Sequence, residues 1–181
     1  MRYLIKFVLL FFVVSSLLIS CQLNNTNVVN SRDVLVDSIQ KMEADLHSDI
    51  EVDADKGQKM IAMYLNYSSR YRKDSLSPEY LFRAAEIAMN TEKPIDACSY
   101  LYRIEQQYED FDKMPAVIYM LGFVNQNMIG DKENAEAYYQ KFLDQYPNHS
   151  RAEEVAIILN SIHIDDIDLV REFETQNAET E

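Results

Sequence analysis

Two cysteines, three histidines and one run of alternating acids are the residues of this 181-residue chain whose types could carry chemistry. Cys98 follows Ala97 inside a helix-period stretch and has no histidine near it in sequence, so it reads as a small packing residue rather than a nucleophile. His47, His149 and His163 each lack a second His, Cys or carboxylate at a ligand spacing such as HExxH. The acids Asp49, Glu51, Asp53 and Asp55 alternate along HSDIEVDAD. A calcium loop counted from Glu51 would need Gly at its sixth place and Glu at its twelfth, and Lys56 and Ala62 stand there. The run therefore reads as a helix start, with Asp53 or Asp55 capping free N–H groups. Gly57, Gly122 and Gly130 are too dispersed for a phosphate loop, and no G-x-S-x-G elbow occurs. The expectation is a protein with no cofactor, no metal and no catalytic set: not an enzyme, but a binding surface.

The elements that would position such a surface begin after a leader. Residues 1–20 carry Arg2 and Lys6, then an apolar run ending at Cys21, which is the pattern of a secretory signal; it is short for a membrane span and has no charged stop after it. Leu18-Ile19-Ser20-Cys21 resembles the lipobox of bacterial lipoproteins. That resemblance implies cleavage before Cys21, lipidation of its thiol and membrane anchoring through several acyl chains. Gln22 stands where some lipoproteins carry an inner-membrane retention Asp, which favours an outer-membrane lipoprotein with its body in the periplasm. Removing the two cations of the leader, which has no acids, takes the formal charge from −13 to −15. So acidic a body disfavours nucleic acid and anionic lipid headgroups as partners. QLNNTNVVN has no period and is mostly polar, and residues 21–30 are expected to be a flexible tether.

From residue 31 to 174 the period is helical. Leu35, Ile39, Met42 and Leu46 share one face. Tyr71, Tyr108 and Tyr146 then recur at gaps of 37 and 38 residues. Four residues before them stand Tyr67, Ile104 and Phe142, seven before stand Tyr64, Leu101 and Tyr139, and eleven before stand Met60, Ala97 and Ala135. Three helices therefore bury equivalent faces. Seven residues after the tyrosines come Pro78, Pro115 and Glu153, and fourteen after come Ala85, Gly122 and Asn160. Proline suits a first helical turn, and small residues let helix backbones approach. The single extra residue of the longer repeat falls between Gly122 and Ala135, and the turn at Gly130 is expected to hold it. Ile167, Val170 and Phe173 suggest a short capping helix, and residues 175–181 a polar tail.

These positions resemble the tetratricopeptide repeat. Leu121-Gly122 matches its first-helix pair, Gly130 its turn glycine, Ala135 and Tyr139 its second-helix residues, and Pro147 its closing proline. In the preceding repeat Ala85 and Ala97 match, while Glu109 stands for the proline. Asn125 and Ala88 stand where the family has an aromatic. The repeat type is similar to those of two bacterial envelope proteins, the lipoprotein subunit of the β-barrel assembly machinery and the periplasmic repeat protein of the Tol-Pal system. The resemblance implies an all-α superhelical stack of helix hairpins whose first helices line a concave groove. The groove positions it implies are Glu79, Phe82, Glu86 and Met89, then Tyr119, Phe123 and Gln126. Phe82 and Tyr119 read equally well as packing against neighbouring helices. The partner expected is another envelope protein or peptide segment, with the membrane reached only through Cys21, and with no nucleic acid and no small-molecule substrate. A scaffold is the first reading; an accessory or chaperone-like factor of outer-membrane or cell-wall assembly is the second.

Overall fold

A computed structural model describes residues 23–46 and 54–164, all of whose regular elements are helices. They are α1 (Leu23–Leu46), α2 (Ala54–Arg70), α3 (Leu76–Asn90), α4 (Pro94–Gln107), α5 (Met114–Val124), α6 (Lys132–Gln145) and α7 (Ala152–Ser161). The leader, Cys21, the acids from Asp49 to Asp53, the cap through Phe173 and the polar tail lie outside the described residues. The described residues fall into two units, one within Met1–Glu51 and one within Val52–Glu181.

The first unit contributes α1. It starts at Leu23, so residues 23–30, expected as a tether, are helical. Asn, Thr and Val are indifferent helix formers, and the stretch has no apolar period to reveal it. A helix already set by the Leu35 and Ile39 turns can still propagate through it, because each added residue gains one backbone bond without a new nucleus.

In the second unit, the helices from α2 to α7 pack in succession, each against its neighbour in the chain. The core runs along the second helices α2, α4 and α6. Met60, Ala97 and Ala135 are fully buried, and so are Tyr67, Ile104 and Phe142; Tyr64, Leu101 and Tyr139 are buried in the same register. Burying one such large side chain is worth about 1.5–3 kcal/mol, so this three-fold pattern carries much of the stack. Ala85 is fully buried and Gly122 is buried at the matching places of α3 and α5, whereas Asn160 on α7 is exposed.

The turns between repeats are equally periodic. Tyr71, Tyr108 and Tyr146 each donate their backbone N–H to the carbonyl four residues back, at 2.9, 2.9 and 2.8 Å. Their own carbonyls accept from Asp74, Phe111 and His149 at 2.8, 3.0 and 3.0 Å. The next helix then opens with Pro115 in the first turn of α5, while Ser77 at the start of α3 donates its hydroxyl to the Tyr71 carbonyl at 2.6 Å.

Within a repeat, the turns use left-handed backbone. Gly130 has φ 82°, and its counterpart Glu92, 38 residues earlier, has φ 56° without being glycine. After Gly130, Asp131 caps α6 by accepting the Asn134 N–H at 3.0 Å. The extra residue of this repeat is not in that turn. Gly122 lies 37 residues after Ala85 and Gly130 lies 38 after Glu92, so the insertion falls between them, where α5 widens into a π-helical turn, Asn125–Ile129. A π-turn is how a helix absorbs one added residue while keeping its flanks in register. Asn125 is the buried residue of this turn, its amide donating to the Leu121 carbonyl at 2.7 Å and lying 3.8 Å from the Cys98 sulfur. Asn127 donates to the Phe123 carbonyl at 3.0 Å.

Candidate functional site

The first helices α3 and α5, with the π-turn that follows α5, carry the seven residues expected to line a groove, and the structure divides those residues into two groups. Phe82 is 7% exposed and belongs to the core, with its ring 6.2 Å from that of Phe111. Tyr119 is half-buried, its ring 6.2 Å from Tyr139 and 6.4 Å from Phe142, and its hydroxyl 3.1 Å from a Glu154 carboxyl oxygen. Both rings are also covered by a cation from the turn that opens the next repeat. Lys113 Nζ sits 5.1 Å from the Phe82 centroid, and the Arg151 guanidinium 4.8 Å from the Tyr119 centroid. Phe82 and Tyr119 are thus glue between repeats, and of the two roles their sequence positions allowed, packing is the one the geometry supports.

The cations reach acids of the first helices as well. Lys113 pairs with Glu79 at 2.9 Å, and Glu79 also accepts from Arg83 at 3.1 Å. Arg151 pairs with Glu154 at 3.2 Å. Burial pushes the Glu79 carboxyl up, but the hydrogen bonds and positive charge of Lys113 and Arg83 prevail and hold it below its ordinary range. Glu86, two turns further along α3, shows the opposite balance. Loss of water raises its carboxyl above the ordinary range, and the neighbouring charge of Glu79 adds to that rise against the pull of Lys113 and Arg83.

Gln126 turns toward the second helix of its own repeat, where its side-chain oxygen accepts the Tyr139 hydroxyl at 2.9 Å. Met89 is half-buried. Phe123 is left accessible, 37% exposed, at the position equivalent to Glu86, which also reaches solvent. Of the seven groove candidates, Glu86 and Phe123 are therefore the pair whose side chains remain available on the face of the first helices, with Met89 beside them in sequence. At the position after Tyr119 in the ladder, Ile157 of α7 is 63% exposed.

Sequence reasoning missed Lys113 and Arg151. The signal was present, since the two cations lie 38 residues apart just before α5 and α7. It also missed a second exposed surface, on α4 and the π-turn, where Ile95, Tyr102 and Ile129 are exposed around a cleft of about 410 Å3 that reaches Cys98 and Tyr138. Burial, then the charge of Glu105, pushes the Tyr138 hydroxyl up to about 12. Burial also raises the Cys98 thiol, which makes it a poor nucleophile. His149 accepts the Arg151 N–H at 3.2 Å, and His163 lies 2.7 Å from a Glu136 carboxyl oxygen. Among the described residues no three His, Cys, Asp or Glu gather as a metal set, and no helix is long and apolar enough to cross a membrane.

Residues 116–149, from the first turn of α5 through α6 into the turn that follows it, match the family model of the tetratricopeptide repeat. With the hairpin stack around them, they fit an all-α fold of tetratricopeptide-repeat type, and repeats of this kind generally bind other proteins. No curated protein matches the chain.

Proposed function

We propose that this chain is a lipid-anchored interaction scaffold of a bacterial cell envelope, held to the outer membrane through Cys21 and binding another envelope protein with the face of its first helices. The observation that carries the binding part is the accessible pair at equivalent repeat positions, Glu86 and Phe123, on helices whose other large side chains are consumed by packing. An aromatic anchor beside a carboxylate short of water suits a segment that brings an apolar side chain together with a basic one. The anchoring part is supported by the sequence around Leu18–Cys21, and the acidic body argues against a nucleic-acid partner.

A photoreactive residue at Phe123 tests the binding face: one discrete adduct in cells, lost on Glu86→Lys, is expected, and no adduct at all would remove the face as a binding site. Cys21→Ser tests the anchor independently, since the protein should leave the membrane fraction; retention there would point to some other attachment.

A further inference from the structure

The turns that join successive repeats enclose a cleft of about 590 Å3, away from Phe123. One side is lined by Arg72 and Lys73 of the α2–α3 turn and another by Glu109, Asp110 and Asp112 of the α4–α5 turn. Leu76, Pro78 and Phe111 supply apolar surface to it, and of these Pro78 is buried and the other two half-buried. These five charged residues are exposed, and among the described residues none has a side-chain hydrogen bond or ion pair. Asp74, next to Arg72 and Lys73, also lines the cleft but is engaged, its carboxylate accepting the Leu76 N–H at 2.9 Å. Elsewhere the charges that join repeats are paired, as in Lys113 with Glu79 and Lys141 with Glu105. Glu79, which also lines the cleft, is already matched by Lys113 and Arg83. Tyr108 lines the cleft as well, and its buried hydroxyl has no hydrogen-bond partner. A buried polar group of this kind costs free energy until something satisfies it.

Unpaired charges of both signs around apolar surface select an occupant by sign and by order, because like charges brought together cost several kcal/mol while complementary ones steer and orient. We propose that this cleft docks an extended protein segment in which one apolar side chain separates an acidic end from a basic end. The apolar group seats against Phe111 and Pro78, the acids face Arg72 and Lys73, and the bases face Glu109, Asp110 and Asp112. This deepens the protein-binding reading and rests on it, yet it concerns a surface separate from the Glu86 and Phe123 pair.

The test uses the full chain and four fluorescein-labelled octapeptides sharing a central phenylalanine. Two have two aspartates at one end and two lysines at the other, in opposite chain directions; the two controls carry four aspartates or four lysines. Fluorescence anisotropy should show one direction of the mixed peptide binding about tenfold tighter than either control, with the advantage shrinking in high salt. Arg72→Glu/Lys73→Glu and Asp110→Lys/Asp112→Lys should each lower that affinity by about fivefold or more, a loss of roughly 1 kcal/mol. Phe123→Ala should leave it unchanged, and unchanged melting temperatures establish that the surface variants fold. Equal binding of all four peptides, or no binding of either mixed one, overturns the proposal. So does loss of binding on Phe123→Ala with the turn variants silent, which would put the peptide on the first-helix face and leave that reading standing. Self-association of the chain abolished by the turn variants would overturn it in favour of a second copy.

Discussion

A Cβ built on Gly122 would stand 2.6 Å from Cε1 and 2.8 Å from Cδ1 of the Tyr139 ring. The ring cannot move aside easily, being fully buried with its hydroxyl bonded to Gln126. The small-residue position is here a close helix approach, and it makes Gly122→Ala an overpacking substitution. The expected loss is about 1–3 kcal/mol, more for Gly122→Leu. Urea denaturation checks it, and in a Tyr139→Leu background the cost of Gly122→Ala should fall sharply. An unchanged midpoint for the single variant would mean that α5 and α6 do not approach in this way.

The two turns within repeats make a matched experiment. Glu92 holds φ 56° with a side chain, whereas Gly130 holds φ 82° with nothing within 4 Å of a built Cβ. Left-handed backbone costs an L-residue about 1–2 kcal/mol, and glycine returns part of any relief through the entropy of the unfolded chain. Glu92→Gly should therefore stabilise by roughly 0.5 kcal/mol, and Gly130→Ala should destabilise by about 1 kcal/mol without any steric clash. Thermal melts of the two variants should shift in opposite directions.

The second helices were legible because their burial repeats: Tyr64, Leu101 and Tyr139 share a face in sequence and the same buried layer in the structure. The turns were legible through Tyr71, Tyr108 and Tyr146 for the same reason. The extra residue was placed in the Gly130 turn because a pattern of side chains does not distinguish a longer loop from a wider helix. Asn125 resolves it, by bonding back to Leu121 inside a π-turn. Phe82 and Tyr119 were ambiguous because what covers them, Lys113 and Arg151, comes from the next repeat. The start of α1 was hidden because backbone hydrogen bonds can extend a helix through residues with no face to bury.

Glu79 and Glu86 should respond to pH with opposite signs. The folded state lowers the Glu79 carboxyl, so its contribution is present above the ordinary carboxylate range and is lost as pH falls through its lowered value. Glu79→Gln should thus cost stability at neutral pH, by a fraction of a kcal/mol since the pair is partly exposed, and cost nothing in acid. The folded state raises the Glu86 carboxyl, which penalises the ionised form above that value. Glu86→Gln should stabilise at pH 7, with the gain vanishing below the ordinary carboxylate range. Stability curves of both variants from pH 3 to 8 should converge at the acid end.

Core and accessible face separate by one pair of truncations. Phe82→Ala removes a core ring and should cost about 3–5 kcal/mol. Phe123→Ala removes one that is 37% exposed and should cost well under half as much. If Phe123 serves binding, its variant shifts its melting temperature only slightly and no longer co-purifies with the partner that a photoreactive residue at this position captures. Equal destabilisation by the two would place Phe123 in the core and remove it from the binding face.

The π-turn predicts that a residue can be deleted from inside a helix. Removing any residue from an α-helix rotates everything after it by about 100° relative to what precedes it, which takes a buried face out of the core. Deleting Ala137 should do this to α6, turning Tyr139 and Phe142 away from their partners and unfolding the domain. Deleting Asn127 should instead convert Asn125–Ile129 to ordinary α-helix, keep Gly130 and α6 in place and restore the 37-residue spacing of the repeat before it. What is lost is the Asn127 bond to the Phe123 carbonyl and some adjustment around Asn125, together about 1–2 kcal/mol. Circular dichroism and urea denaturation of the two deletions decide it: a folded Asn127 deletion beside an unfolded Ala137 deletion is expected, and collapse of both would mean that the widened turn is required by the packing rather than tolerated by it.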